Sequence, residues 1–456
     1  MPDGRHGASR GRPDRSEEAQ RRALANEQAL RALGDAVDQR NGQHHRQRRH
    51  LGTSRSRRRR RWLIASLSVV VAIALVLAGG YLYAQYRFDK IPKIAVHGIS
   101  YPEPSQPFNI LAIGSDSRAG LSGQVAKQTG ASSVSGQRSD VVKIIHVDPV
   151  HGTVSIVSIP RDTMVTLLAN TSLYGRFNRI NVNYGNGPSL LVQTITANFG
   201  IPINHVIQVS FGGLINSADA IHGVYLDFPY RSRDPESGLN IRHPGCQLVS
   251  GFQALAVARS RHYYYSPHDV PWPTDGNSLV AQGINPPGWY YDGTSDFGRI
   301  IRQNAFLRAM LNRVKGDLTN PIALNGFFSN IPTGVTLDNT WSLNELIGLA
   351  LKFHSLSSNA IRTYTLNTTP GVVNGADVLF VQQPYAQQTL VSVFGSQLIA
   401  PTNPPPNQAL QTPMPPHIAV TASNTPTTTV AHHHVTTTTN PTLAVPSYDP
   451  VPCEPK

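Results

Sequence analysis

The sequence predicts an α/β protein in which helices cover one mixed sheet, preceded by a single transmembrane helix. Two observations carry this prediction. Short β-branched runs alternate with helical periodicities over residues 105–397, a pattern typical of layered α/β domains. Residues 62–86 contain no Asp, Glu, Lys, Arg or His, and this run is long enough to cross about 30 Å of hydrocarbon as a helix.

The basic charge of the chain is concentrated before that span. Residues 1–61 hold 17 Lys and Arg against 7 Asp and Glu, so they carry most of the net charge of +13. This weighs against a dedicated nucleic-acid binder, which spreads cations over a folded face. We interpret 1–61 as a disordered basic cytoplasmic tail that meets anionic lipid. Binding to nucleic acid or to a cytoplasmic partner is the alternative.

Charge asymmetry also predicts the topology. Arg57–Arg61 directly precede the span, whereas only Arg87, Lys90 and Lys93 follow it closely. A cation cluster resists translocation, so we expect a single-pass protein of the cell membrane with a cytoplasmic N-terminus. A cleaved signal peptide is disfavoured because the span starts after 61 polar residues. We predict a linker at 87–104 and an extracytoplasmic domain at 105–398.

The C-terminal residues 399–456 are rich in Pro and Thr, which predicts a disordered tail. His432–His434 are solvated low complexity or a metal contact. Only two cysteines occur, Cys246 and Cys453, which excludes a disulfide scaffold and a four-cysteine zinc site. A bond between them stays open, since no local pattern supports it.

Within the domain, the most periodic helix is predicted at 296–315, with Asp296 as N-cap candidate. Arg299, Arg302, Gln303 and Phe306 fall on one of its faces. The other predicted helices are 188–199, 213–221 and 251–258, and the predicted strands are 108–114, 140–147, 153–159, 205–211 and 224–228.

Four short segments share arginine with serine or aspartate: 114–118, 138–140, 160–163 and 259–261. Three of them stand at strand ends, where α/β sheets place ligand contacts. Mg²⁺ takes one or two carboxylates plus phosphate oxygens, and arginine forks hold phosphate bidentately. Taken singly, each of these residues fits a surface ion pair better than a ligand site. Together they predict a metal at Asp116 and Asp140, and a phosphate at Arg118, Arg138, Arg161, Arg259, Arg261, Arg299 and Arg302.

Six ordered motifs give the sequence a family resemblance: FNILAIGSDSR, RSDVV, VSIVSIPRDT, NRINVNYGNG, PGCQLVSGFQALAVARSRH and SDFGRIIRQNAF. Their order resembles the LytR-CpsA-Psr family over 108–315, and less distinctly to 398. Asn304 stands where the family has a second Gln. Residues 166–178 lack the family's loop pattern, so its additional arginine has no clear match here, with Arg176 and Arg179 as candidates.

The resemblance implies a three-layer α-β-α sandwich and a membrane-anchored phosphotransferase. Such an enzyme moves a glycopolymer from a polyprenyl-pyrophosphate carrier to peptidoglycan and releases polyprenyl phosphate. It also implies Mg²⁺, with Mn²⁺ as the alternative, on Asp116 and Asp140. We assign catalysis to Arg138, Arg161 and Asp162, and pyrophosphate binding to Arg118, Arg259, Arg261, Arg299, Arg302 and Gln303.

Three points stay open. Asp162 either acts as a base or orients Arg161. The aromatic insertion at 262–295, which resembles that of actinobacterial members, stacks on sugars, covers a lipid tail or packs on itself. The protein is alternatively a non-catalytic sensor of a wall precursor, or a hydrolase of the pyrophosphate. The residues available for a lipid tunnel, each also an ordinary core residue, are Leu190, Leu191, Ile195, Phe199, Phe211 and Leu214.

Overall fold

The structure is a computed structural model that describes residues 15–102, 106–116, 139–317, 334–354, 360–406 and 446–454. The predicted site residues Arg118 and Arg138 lie outside these ranges, as do the three consecutive histidines of the tail. The chain divides into two compact units, one ending at Tyr83 and the other beginning at Ala84.

The helices and strands are numbered in chain order. The helices are α1 (Arg15–Asp89), α2 (Thr171–Tyr174), α3 (Asn181–Tyr184), α4 (Pro188–Phe199), α5 (Phe211–Ala220), α6 (Gly251–Arg259), α7 (Gly276–Ala281), α8 (Asp296–Asp317), α9 (Leu343–His354) and α10 (Tyr385–Phe394). The strands are β1 (Lys93–Ile94), β2 (Phe108–Ser115), β3 (Ser139–Asp148), β4 (Thr153–Ile159), β5 (Met164–Thr166), β6 (Phe177–Arg179), β7 (His205–Val209), β8 (Val224–Phe228), β9 (Arg231–Asp234), β10 (Leu239–Ile241), β11 (Gly245–Val249), β12 (Tyr264–Ser266), β13 (Tyr290–Tyr291), β14 (Val335–Asp338), β15 (Ile361–Thr365), β16 (Thr368–Val373), β17 (Ala376–Val381) and β18 (Val451–Pro452).

Helix α1 contains the predicted membrane span. From Arg59 to Asp89 it is long and apolar enough to cross a membrane. It also runs back to Arg15, whereas the sequence analysis expects a disordered tail over 1–61. Strong helix formers such as Ala, Leu, Arg and Gln account for this difference. The side chains at 19–39 are all exposed, so this stretch of helix buries no core.

A seven-stranded mixed sheet organises the second unit, in the order β1-β14-β7-β2-β3-β4-β15. Strand β2 is parallel to β7 and antiparallel to β3, and β4 is parallel to β15. Side chains alternate between the faces of a strand. Leu111 and Ile113 therefore pack with α4 and α10, while Ile110 packs with the end of α1 and with α9. Helices cover both faces, which confirms the layered α/β prediction.

A second β region shares a separate apolar core with α5, α6 and α8. It consists of a four-stranded sheet, β10-β9-β12-β13, and a three-stranded sheet, β11-β8-β18. Of these strands, the sequence pattern predicts only β8. The others are runs of two to five residues with several polar side chains, too short to show a clear period.

Several predicted elements coincide with the structure, among them β4, α4 and β8. The predicted linker at 87–104 is wrong for its first part. Phe88 and Ile91 are buried, and Lys93–Ile94 pair in parallel with β14. Apolar residues directly after the span thus join the core of the second unit.

Residues 446–454 form a C-terminal strap on the second unit, so the prediction of a disordered tail is wrong for this segment. Strand β18 pairs with β8, and Cys453 forms a disulfide with Cys246. The buried carboxylate of Asp449 places Oδ1 2.6 Å from Nη1 of Arg302 on α8. The disulfide joins cysteines 207 residues apart, which explains why no local pattern predicts the strap.

The strap predicts a stability effect. Asp449→Ala lowers the free energy of unfolding by about 3 kcal/mol, because a buried guanidinium loses one of its two carboxylates. Chemical denaturation of the full chain in detergent measures this change. Glu454→Ala, which removes an exposed carboxylate from the same strap, is the matched control and changes stability by less than about 0.5 kcal/mol. Equal stability of the two variants would contradict the prediction.

Candidate active site

A cavity of about 410 Å³ lies between the large sheet and helices α5, α6 and α8. Its lining changes along α8, from Arg299 and Gln303 near the helix start to Phe306 and Met310 further on. Among the described residues, the polar end is the more exposed one, since the side chains of Arg261 and Glu236 are 34% and 69% exposed there, whereas Phe306 is buried. We call the polar end the mouth and the apolar end the bore. The bore is further lined by Val209, Phe211, Leu214, Leu255, Ala258 and Leu307.

At the mouth, arginines and carboxylates from three elements form one network. Arg161 follows β4, and its Nη1 lies 2.5 Å from Oδ1 of Asp140 on β3. Its Nε lies 3.3 Å from Oδ2 of Asp162. Arg299, in the first turn of α8, donates from Nη2 to the carbonyl oxygen of Asp140 at 2.9 Å. Three chain segments are thereby held together at the open end of the cavity.

Cations outnumber carboxylates in the lining of the cavity, which contains four arginines and Lys143 but three carboxylates. Asp296 is shared, since its Oδ1 lies 2.8 Å from Nη2 of Arg299 and 3.3 Å from Nε of Arg261. Burial lowers the pKa of Arg299 in spite of Asp296 and Asp140. For Arg161, burial acts in the same direction, but the neighbouring carboxylates raise its pKa overall. A desolvated guanidinium that shares a carboxylate with another arginine is stabilised by a further anion.

Asp234, at the end of β9, fixes the segment that carries Arg261. Its fully buried carboxylate accepts a hydrogen bond from Ser260 Oγ at 2.7 Å. The same oxygen accepts the backbone amides of Arg261 and His262 at 2.9 and 3.0 Å. Sequence reasoning missed Asp234, because its partners follow by 26 to 28 residues and form no motif with it.

Lys143 is a second residue that sequence reasoning missed. It lines the cavity from β3 and is almost completely buried. Its Nζ donates to Ser158 Oγ and to Asn304 Oδ1, both at 2.7 Å and both uncharged. Burial and, to a smaller extent, the charge of Arg299 lower its pKa to about 7, although Asp296 opposes the shift. The available signal was a lysine inside the otherwise apolar run at 141–145.

The structure brings most described site candidates to one place. Asp162 does not line the cavity; it contacts Arg161 and lies 3.4 Å from Nη1 of Arg179, a geometry that fits the orienting role. Gln303 donates from Nε2 to the carbonyl oxygen of Ala258. The predicted residues that line the cavity are Asp140, Arg161, Arg259, Arg261, Arg299 and Gln303.

Arg302 does not line the cavity, which corrects its assignment to the pyrophosphate. Its fully buried Nη1 lies 2.8 Å from Asp292 Oδ2 and 2.6 Å from Asp449 Oδ1, and its guanidinium lies 4.4 Å from the ring centroid of Tyr263. Burial acts to lower its pKa, but the two carboxylates raise it overall. Gly298 makes this packing possible, since a Cβ there would lie 2.7 Å from Nη2 of Arg302.

The bore contains two of the six apolar residues considered for a lipid tunnel. Phe211 and Leu214 line it, and the guanidinium of Arg259 lies 5.0 Å from the ring centroid of Phe211. The other four belong to α4, which packs in the core on the opposite face of the sheet. For Leu191, Ile195 and Phe199 the structure therefore supports the alternative of ordinary core residues, and Leu190 lies on the same helix outside the cavity.

The two predicted metal ligands belong to the same end of the sheet. Ser115 pairs with Ser139, so Asp116 and Asp140 follow paired residues. Within the described ranges, no three His, Cys, Asp or Glu side chains cluster as a metal-binding group. Two carboxylates suffice for Mg²⁺ when phosphate oxygens and water complete its shell. Asp140 has only Oδ2 unengaged by Arg161, so the donor set fits a metal shared with a phosphate.

Comparison with known proteins identifies the family. The sequence model of the LytR_cpsA_psr family matches residues 84–269 and 290–393. The probable cell wall biosynthesis protein LcpB of Corynebacterium glutamicum is 28% identical over 63% of this chain and 62% of its own length. LcpA of the same organism is 24% identical over 57% of this chain and 50% of its own length. The chain thus spans about half to three-fifths of these two relatives.

Two further similarities extend the comparison. The polyisoprenyl-teichoic acid–peptidoglycan teichoic acid transferase TagU of Halalkalibacterium halodurans is 24% identical over 60% of this chain and 80% of its own length. The solved LytR-Csp2A-Psr enzyme of Actinomyces oris superposes with a TM-score of 0.50 at 20% identity. It covers 69% of this chain and 97% of its own, which supports the fold.

Buried Lys143 predicts a pH-dependent stability. Its pKa of about 7 lies below the ordinary 10.5, so the unfolded chain binds more protons between these values. The cost of burying the ammonium, on the order of 5 kcal/mol, is fully present below pH 7 and disappears as the pH rises towards 10.5. We therefore expect that Lys143→Met gains most in Tm over the wild type at pH 6, and that this gain shrinks by pH 10.

Thermal unfolding of the full chain in detergent measures this difference. Lys90→Met removes an exposed lysine and serves as the control, with a Tm difference that does not change with pH. A pH-independent difference for Lys143→Met would show that Lys143 keeps its ordinary pKa.

Proposed function

The chain belongs to the LytR-CpsA-Psr family, and on that premise we propose that it is a membrane-anchored phosphotransferase of cell wall assembly. It attaches a glycopolymer from a polyprenyl-pyrophosphate carrier to peptidoglycan. The observation that carries this proposal is the union of a cationic mouth and an apolar bore in one cavity. A polyprenyl pyrophosphate has the same two parts, an anionic head and an apolar chain.

Each part of the cavity fits one part of that donor. The bore, with Phe211, Leu255 and Phe306 in its walls, takes isoprene units by burying apolar surface. The mouth offers planar arginine forks, which match phosphate oxygens bidentately. Arg259 lies where the two parts meet, as its contact with Phe211 shows. The diphosphate is thereby placed at the open end, within reach of an acceptor from outside.

The proposed reaction is an in-line displacement at phosphorus. An acceptor hydroxyl oxygen forms a bond to the phosphorus that carries the sugar, and the bond from this phosphorus to the bridging oxygen breaks. Polyprenyl phosphate leaves, and the hydroxyl proton passes to solvent. Arg161 and Arg299 stabilise the charge that develops on the phosphoryl oxygens, and Asp162 keeps Arg161 in place. Catalysis then rests on positioning and on fixed charge.

Mg²⁺, with Mn²⁺ as the alternative, belongs to the proposal. Asp116 and Asp140 are the residues that would hold it, together with phosphate oxygens. When bound, it supplies Lewis-acid stabilisation of the phosphoryl oxygens.

The topology of the anchor is the remaining part of the proposal. The apolar part of α1 spans the cell membrane, with the arginine-rich segment before it on the cytoplasmic side and the catalytic domain outside. This arrangement places the mouth in the compartment that contains peptidoglycan. A polyprenyl chain that enters the bore comes from the same membrane that holds the anchor.

Arg161→Ala lowers the rate of polyprenyl phosphate release about 10²- to 10³-fold, because a preorganised cation is removed from the reacting phosphate. The full chain in detergent is incubated with a polyprenyl-pyrophosphate-linked oligosaccharide, peptidoglycan fragments and Mg²⁺, and the products are identified by mass spectrometry. Arg362→Ala removes an exposed arginine from β15 and is the matched control, with wild-type activity.

The product masses separate the competing functions. A glycan joined to peptidoglycan supports the transferase, whereas a free glycan phosphate as the sole product supports the hydrolase. Binding without any product supports the sensor. Wild-type rates in Arg161→Ala would remove the site assignment itself.

A further inference from the structure

Next to the mouth of the cavity lie three side chains in mutual contact that the proposed phosphate chemistry does not use. His262 follows Arg261 and lines the cavity. Its Nδ1 lies 2.9 Å from Oε2 of Glu236, which also lines the cavity. Its ring lies 6.3 Å from that of Tyr291 on the edge strand β13, with an interplanar angle of 14°. A path of polar and aromatic groups therefore leads from the arginines towards the outside.

Strand register assigns the two tyrosines of β13 to opposite faces of the small sheet. Asn240, Arg233, Tyr264 and Tyr291 form one cross-strand row. The next row consists of Ile241, Ser232, Tyr265 and Tyr290. Since successive side chains of a strand point to opposite faces, only Tyr291 of the two shares the face of Tyr264 and His262.

The aromatic insertion largely packs on itself, but it leaves Tyr291 open. Trp272 and Trp289 pack edge to face at 4.8 Å, and Trp272 packs on Tyr264, which is buried. Tyr291 remains 37% exposed beside them. On the opposite face, Tyr265 stacks on Tyr448 of the strap at 4.5 Å. Tyr290 on that face is also exposed, but its ring stacks on Tyr265 and not on His262. Tyr291 is thus the exposed tyrosine of β13 that lies beside His262 at the mouth.

We propose that Tyr291, His262 and Glu236 form a sugar-binding rim for the donor glycan next to the diphosphate. This inference rests on the proposed function. In that function the bore holds the lipid and the arginines hold the diphosphate, so the first sugars leave the mouth beside Arg261. Aromatic faces suit the C–H faces of sugar rings, and an exposed carboxylate accepts hydrogen bonds from sugar hydroxyls.

In-line displacement favours the donor glycan over the acceptor at this rim. The acceptor hydroxyl attacks opposite the leaving polyprenyl phosphate, which lies in the bore. The sugar is an equatorial substituent of the attacked phosphorus and leaves sideways, across the wall of the mouth. Arg261 and His262 build that wall, and their amides are fixed by Asp234. A rim held this firmly positions the glycan at low entropic cost.

The test compares two probes of equal prenyl length, a polyprenyl-diphosphate-linked disaccharide and the same polyprenyl diphosphate without sugar. Their Kd values are measured on the full chain in detergent. Tyr291→Ala weakens binding of the disaccharide probe about tenfold and leaves the sugar-free probe unchanged. Tyr291→Phe keeps the ring and binds both probes as the wild type does. Tyr290→Ala, on the opposite face of the same strand, is the matched control and also binds both normally.

The outcomes separate the rim from the site it adjoins. Unchanged binding of the disaccharide probe in Tyr291→Ala overturns the rim while the proposed function stands. Equal weakening of both probes also overturns it, because a glycan contact cannot affect the sugar-free probe. If the wild type binds neither probe, the proposed function fails, and the rim fails with it.

Discussion

The burial of two arginines one turn apart on α8 is the constraint on which the rest of the structure depends. Arg299 and Arg302 are both almost completely buried, and an ionised group is costly to bury unless it is paired. The protein treats the two differently. Arg302 has two buried carboxylates and the face of a tyrosine, so its charge is compensated internally. Arg299 shares Asp296 with Arg261, so the mouth keeps a surplus of positive charge.

Arg302, whose charge is compensated, explains the placement of two segments beside α8, the end of the aromatic insertion and the strap. Asp292 lies at the end of the aromatic insertion, and Asp449 lies in the strap, so both are drawn to α8 by one guanidinium. The disulfide and the pairing of β18 with β8 hold the same strap on its other side. The back of α8 is thereby fixed, and Arg299 and Gln303, which face the cavity, are positioned without being neutralised.

Sequence patterns predicted the long periodic elements, such as α8, and the local motifs. They did not predict the contacts between distant segments. The sequence predicts Arg299, Arg302, Gln303 and Phe306 on one face of α8. Residues three apart on a helix differ by about 60° in direction, enough to turn Arg302 away from the cavity. Its partner Asp292 lies 10 residues before it, but its second partner, Asp449, lies 147 residues further on, where no local pattern points to it. Asp234 and the disulfide escaped prediction for the same reason. Lys143 did leave a signal, a charge within an apolar strand.

The arginines of the mouth and Lys143, which lines the same cavity, are not equivalent as cations. A guanidinium stays protonated at any physiological pH, so Arg161, Arg261 and Arg299 present a constant charge to the diphosphate. Lys143 lies deeper and bonds only to uncharged acceptors, and burial lowers its pKa to about 7. It is therefore the cation of this group that can lose its proton near neutral pH. When no anion is bound, loss of this proton reduces the repulsion among the cations of the cavity. The arginines keep their charge where the phosphates of the donor are proposed to lie.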